Sequence, residues 1–211
     1  GANNSTFCIS CLPGKYCAGS NNPAPAGDCE AGFYCPAGSS SAQQNSVTAG
    51  HYAPVGSDIE VPCPRGTYQP STEQESCINC EAGAYCPDIG MTASDPCPAG
   101  YYCESKATQD SNSLYYEARP CPVGTYNAFE SKSSLSDCVA CDAGQYCDEE
   151  AMIAPKGDCA AGYFCTTGSP FEKPAFDDAG GNYGMCPTGH HCAAATENPT
   201  ACLAGAYSAM T

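Results

Sequence analysis

The chain has 211 residues, and its 20 cysteines equal in number all of its Leu, Ile, Val and Phe together. So small an apolar share excludes a large hydrophobic core, so crosslinks must stand in for it, and that cysteine density places the chain in an oxidising compartment. The net charge of −16, from 7 basic and 23 acidic residues, argues against nucleic acid or an anionic membrane as partner, and no run approaches the roughly 20 apolar residues of a membrane span.

From Gly1 onward there is no charged start followed by an apolar run, so the chain reads as mature or as a segment of something longer. Asn3-Asn4-Ser5 and Asn4-Ser5-Thr6 fit the N-glycan acceptor pattern, with Asn4 the better site because its acceptor is Thr. At Cys8 begins a cysteine string, 8, 11, 17, 29 and 35, whose spacing returns at 77, 80, 86, 97 and 103 and again at 138, 141, 147, 159 and 165.

Along these strings and between them runs one motif, Cys-x-x-Gly-x-ring, which begins at Cys11, Cys29, Cys63, Cys80, Cys97, Cys121, Cys141, Cys159, Cys186 and Cys202. The ring is Tyr in every copy but two, where Phe164 and His191 take its place. Seven copies carry a second cysteine directly after the ring, and those at Cys63, Cys121 and Cys202 do not. Gly50-His51-Tyr52 and Gly181-Asn182-Tyr183 read as copies that have lost their cysteines, inside variable loops at 36–62 and 166–185; a third such loop spans 104–120.

No window shows helical apolar periodicity, and Gly, Pro and Ser interrupt the chain every few residues. The predicted fold is therefore a set of small disulfide-rich modules in tandem, an elongated rod with two- or three-residue β-ladders around each Gly-x-Tyr and little helix. Each ring is expected to lie over a neighbouring disulfide or the next repeat. A unit repeated so often builds length or surface, whereas a catalytic site needs different residues converging once.

Cys8-x-x-Cys11, Cys77-x-x-Cys80 and Cys138-x-x-Cys141 have zinc or redox spacing without the reducing setting or the βαβ context those uses need. His190 and His191 are adjacent and face apart, and His191 fills a ring position, which favours stacking. Asp148-Glu149-Glu150 and Asp177-Asp178 lack the alternating ligands of a calcium loop. No hydrolase, phosphate-loop or metalloprotease motif occurs, so no enzyme, cofactor or metal is expected.

Strings such as Cys63-Pro64-Arg65-Gly66-Thr67-Tyr68, leading on to Cys77-Ile78-Asn79-Cys80, resemble ephrin-receptor-like cysteine-rich repeats and, more distantly, tumour-necrosis-factor-receptor modules. Repeats of that kind serve as spacers, adhesive surfaces or filament units on cell surfaces, the flagellar hairs called mastigonemes among them. The receptor-module pattern implies Cys63 to Cys77, Cys80 to Cys97, Cys86 to Cys103, Cys121 to Cys138, Cys141 to Cys159, Cys147 to Cys165, Cys11 to Cys29 and Cys17 to Cys35. It leaves Cys8, Cys186, Cys192 and Cys202; connectivity itself is not fixed by sequence.

Joining Cys202 of one copy to Cys8 of the next leaves sixteen residues between them, the same as between Cys121 and Cys138, and lets Cys186 pair with Cys192. Three readings follow: separate protomers linked head to tail by a disulfide, one period of a long tandem repeat, or a chance match, since a spacer of thirteen also occurs between Cys63 and Cys77. The repeats then divide as 1–62, completed by a preceding 202–211 segment; 63–120; 121–201, with an extra Cys pair; and 202–211, the start of the next repeat. The expected function is a non-enzymatic extracellular structural protein with itself as partner, in a surface filament or appendage and carrying an N-glycan. The alternative is a receptor or adhesion ectodomain that binds protein or glycan through its variable loops.

Overall fold

The computed structural model describes residues 9–21, 23–105, 118–174 and 181–206. Among them the only helix is a single 3-10 turn, Leu135–Asp137, and every strand is two or three residues long. The described residues fall into two compact units, one built from the chain up to Cys80 with Cys86–Asp95, the other from Glu81–Tyr85 with Pro96 onward.

One hairpin explains nearly all of the structure. Its first strand is the ring residue and the one before it, and its second is the pair of residues just ahead of the next copy. In the first unit these antiparallel pairs are Lys15–Tyr16 with Gly27–Asp28, Phe33–Tyr34 with Asn45–Ser46, His51–Tyr52 with Val61–Pro62 and Thr67–Tyr68 with Ile78–Asn79. In the second unit they are Tyr101–Tyr102 with Arg119–Pro120, Thr125–Tyr126 with Val139–Ala140, Gln145–Tyr146 with Gly157–Asp158, Tyr163–Cys165 with Tyr183–Met185 and His190–His191 with Thr200–Ala201. The chain thus winds as a series of coils, each starting at the first residue of a copy.

The cross-strand partners of the rings show why such short ladders hold. Tyr68 faces Ile78 and Tyr126 faces Val139, aromatic on β-branched. Tyr16 faces Gly27, and its ring closes over that glycine so tightly that a Cβ there would come within 3.1 Å of Cε1. The ring of Tyr146 covers Gly157 in the same way, at 3.6 Å. These two rings lie over their own hairpin, where the sequence pointed to a disulfide or the next repeat: a two-residue ladder brings the opposite strand nearer than anything else. Lys15 and Asp28, beside the Tyr16 pair, form an ion pair.

Gly50-His51-Tyr52 is a copy without cysteines, as the sequence pointed to: within residues 36–62 Val47 opens a full coil with the Gly50 turn and the His51–Tyr52 strand, so that stretch is not one variable loop. Gly181-Asn182-Tyr183 is not a former copy, since Tyr183 lies in the return strand that pairs with Tyr163–Cys165.

Candidate functional site

The element repeated through the chain is the turn that opens each coil. In Leu12-Pro13-Gly14-Lys15 the Lys15 N–H donates to the Leu12 carbonyl at 3.1 Å, and Gly14 has φ +77°. A positive φ at the third residue makes this a type II turn, with Pro suited to the second position and Gly to the third. The turn folds the chain back, so that the residue before it and the residue after the ring meet.

That geometry decides the cysteine pairing. The copies at Cys11, Cys29, Cys80, Cys97, Cys141, Cys159 and Cys186 each bond to the cysteine six residues on: Cys17, Cys35, Cys86, Cys103, Cys147, Cys165 and Cys192. Their Cα atoms are 5.8 to 6.5 Å apart, inside the range a disulfide spans. The interleaved bonds carried over from the receptor modules, Cys11 to Cys29, Cys17 to Cys35, Cys80 to Cys97, Cys86 to Cys103, Cys141 to Cys159 and Cys147 to Cys165, are therefore replaced by local ones. Cys29 sits across from the turn glycine of the coil before it, its N–H donating to the Gly14 carbonyl at 2.9 Å, and does not face Cys11.

Where the residue after the ring is not cysteine, two other solutions appear. Cys63 bonds to Cys77 and Cys121 to Cys138, with Cα separations of 5.8 and 5.5 Å. In those coils the position holds a buried amide, Gln69 at 3% exposure and Asn127 at 1%. Asn127 Nδ2 donates to the Tyr101 carbonyl at 2.9 Å while its Oδ1 accepts from the Phe129 N–H at 3.0 Å. Gln69 spans its own loop, Nε2 to the Ser76 carbonyl at 2.8 Å and Oε1 from the Ser71 N–H at 3.2 Å. In the third kind of coil, Val47 and Ala53 occupy both cysteine positions and both are fully buried. An apolar pair has taken the space of a disulfide.

Successive coils are joined by backbone hydrogen bonds that recur at each boundary inside a unit. The Gly14 N–H donates to the Cys35 carbonyl at 2.8 Å, the Gly38 N–H to the Cys11 carbonyl at 2.9 Å and the Cys17 N–H to the Ser39 carbonyl at 3.0 Å. In the second unit the same bonds run from Gly124 to Cys147, from Ala151 to Cys121 and from Asn127 to Met152, at 2.8, 2.9 and 2.9 Å. One donor of each set comes from a residue in the left-handed region nine or ten positions into the coil: Gly38, Gly56, Glu73, Gly90, Ser131, Ala151, Gly168 or Ala195. Sequence reading missed this second turn because its residue type varies; its only signal is a distance of nine or ten residues from the coil start.

The same left-handed residue also packs on the turn glycine two coils earlier. A Cβ on Gly100 would stand 2.2 Å from the Ala151 carbonyl oxygen, and one on Gly14 would stand 2.2 Å from that of Gly56. The glycine is thus required twice, by its φ and by a backbone that leaves no room for a side chain.

The remaining candidates are placed as follows. Cys202 opens the last described turn and is a free thiol. Cys8, Asn3 and Asn4 lie outside the described residues, as do Asp177 and Asp178. Asp148 and Glu149 both hold Lys156, at 2.9 and 2.6 Å, and these hydrogen bonds hold its ammonium well above the usual lysine range. Asp137 accepts from the N–H groups of Ser133 and Ser134 at 3.1 and 3.0 Å, which lowers its carboxyl below the usual range. His190 is half-buried and His191, in the ring position, is exposed. Cys77, Cys80, Cys138 and Cys141 are all in disulfides. Among the described residues no group of three or more His, Cys, Asp or Glu is placed to hold a metal, and no helix is long and apolar enough to cross a membrane.

Residues 50–97 match the family model described as tyrosine-protein kinase ephrin type A/B receptor-like. That segment is ephrin-receptor-like. It holds the Gly50 turn, the long Cys63–Cys77 staple and the local Cys80–Cys86 staple, so the matched segment contains both kinds of disulfide found in the chain. A search of curated proteins finds no match. An ephrin-receptor-like, disulfide-stapled repeat belongs outside the cell or on its surface.

Proposed function

We propose that this chain is a non-enzymatic structural repeat of an extracellular or surface filament, lengthened by adding further coils head to tail. The observation that carries the reading is the backbone ladder: inside each unit every described coil is bonded to its neighbours through the same groups, so nothing in the pattern limits the number of coils. In this reading Cys202 bonds to Cys8 of the following copy, whether as a separate protomer or as the next period of one polypeptide, and Asn4 or Asn3 carries a glycan at the joint. A mastigoneme-like appendage is one such filament.

The second reading, a receptor or adhesion ectodomain, is favoured by the ephrin-receptor-like segment. Electrophoresis of the native protein separates the two. A filament of linked protomers gives a ladder that collapses with thiol, and a tandem polypeptide gives a high mass that resists reduction. A monomer under both conditions contradicts the filament and supports the ectodomain.

A further inference from the structure

We infer that this chain yields to tension one coil at a time and recoils, with the staple of each coil setting how far that coil opens. The inference rests on the structural-repeat reading and gives the repeat a mechanical role, the take-up of length under pull. Among the described residues every disulfide closes inside one coil: Cys29–Cys35 within 29–46, Cys63–Cys77 within 63–79, Cys121–Cys138 within 121–140, and the other six likewise. No described staple ties one coil to the next.

Neighbours are joined by backbone hydrogen bonds instead. In the first unit the Val47 coil meets the Cys29 coil through Val47 N–H on the Gly32 carbonyl, Gly32 N–H on the Ala53 carbonyl, Gly56 N–H on the Cys29 carbonyl and Cys35 N–H on the Ser57 carbonyl, at 3.1, 2.8, 2.9 and 2.9 Å. It meets the Cys63 coil through Cys63 N–H on the Gly50 carbonyl, Gly50 N–H on the Gln69 carbonyl, Glu73 N–H on the Val47 carbonyl and Ala53 N–H on the Gln74 carbonyl, at 2.8, 2.8, 2.9 and 3.0 Å. Where each element is held by nearest-neighbour terms, one boundary opens while the next stays closed.

A pull along the backbone is carried by the shortest covalent path, so a closed staple takes the residues between its cysteines out of tension. In the Cys29 coil the staple spans six residues and the free stretch runs from Cys35 to Val47, about 40 Å when fully extended. In the Cys63 coil the staple spans 14 residues and leaves only Ile78 and Asn79 outside it, about 10 Å of chain. Val47 and Ala53 replace both cysteines of the coil between them, so all of 47–62 is free, about 55 Å. Three successive coils of one unit therefore differ about fivefold in the length they can release.

Recoil follows from what the staple keeps. The Gly32 turn and the Phe33–Tyr34 strand lie between Cys29 and Cys35, so they stay closed while the rest of that coil is drawn out, and only the return strand Asn45–Ser46 has to find its place again. The closure entropy of the turn is not lost and regained in each cycle. The Val47 coil keeps no such nucleus and is the slowest of the three to close.

The test is optical-trap stretching of the full oxidised chain carrying Cys202→Ser, with handles joined at Gly1 and Thr211. The expected record is a series of separate steps that recover on relaxation. Val47→Cys with Ala53→Cys, its new bond confirmed by peptide mapping, should shorten the total extension by about 15 Å, and Cys63→Ser with Cys77→Ser should lengthen it by about 40 Å, each through one step with the others unchanged. Release of the whole chain in one event, steps that ignore both staple changes, or steps that do not recover would overturn the inference. Those outcomes would leave the structural-repeat reading standing, because it is judged on the size of the native protein.

Discussion

The residue that does most in each coil is the turn glycine. Gly100 has φ +84° and the Ala151 carbonyl 2.2 Å from where its Cβ would be, whereas Gly19 has φ +76° and open space. Both positions charge an L-residue the left-handed cost of about 1 to 2 kcal/mol, but only Gly100 adds a backbone collision that no rotamer relieves. Gly100→Ala should therefore destabilise by more than about 2 kcal/mol and Gly19→Ala by about 1 kcal/mol, read as midpoints of denaturant unfolding with disulfides intact. Equal losses would show that the close packing of coils two apart has no energetic weight. Asn127 shows the complementary case, a buried polar side chain that is tolerated because both ends of its amide are hydrogen-bonded.

At the scale of the element, a coil is a turn, a two-residue ladder and something to fill the space between its first and seventh positions. A local disulfide, a buried amide with a long disulfide, and the Val47 and Ala53 pair all do so. If the positions are equivalent, Val47→Cys with Ala53→Cys should form an additional disulfide on oxidation and stabilise the protein by roughly 2 kcal/mol, the value expected for so short a loop. Free thiols at both positions after oxidation would show that the Val47 coil has a different backbone. The turn and the short strand were legible in the sequence because Gly and Tyr recur at fixed offsets. The second turn was not, since Gly38, Glu73, Ser131 and Ala151 share a backbone angle and no side-chain chemistry. Nor was Tyr183, because Gly-x-Tyr looks alike in the first and the return strand of a hairpin.

For the molecule as a whole, stability is distributed along the chain. The apolar core consists largely of cysteine pairs, with Val47, Ala53, Tyr102, Phe164 and Pro174 also buried. Many small staples replace one large core, and each coil is held by the coils one and two places along the chain, which is the physical form of a repeat protein. Cysteine count and spacing made that organisation readable. Connectivity was not readable, because identical spacing admits both interleaved and local bonds, and the choice depends on how sharply the type II turn reverses the chain. Peptide mapping of the intact, non-reduced protein tests this most directly. The structure predicts Cys11 with Cys17, Cys80 with Cys86 and Cys141 with Cys147, each six residues apart; Cys11 linked to Cys29 and Cys80 linked to Cys97 would contradict it.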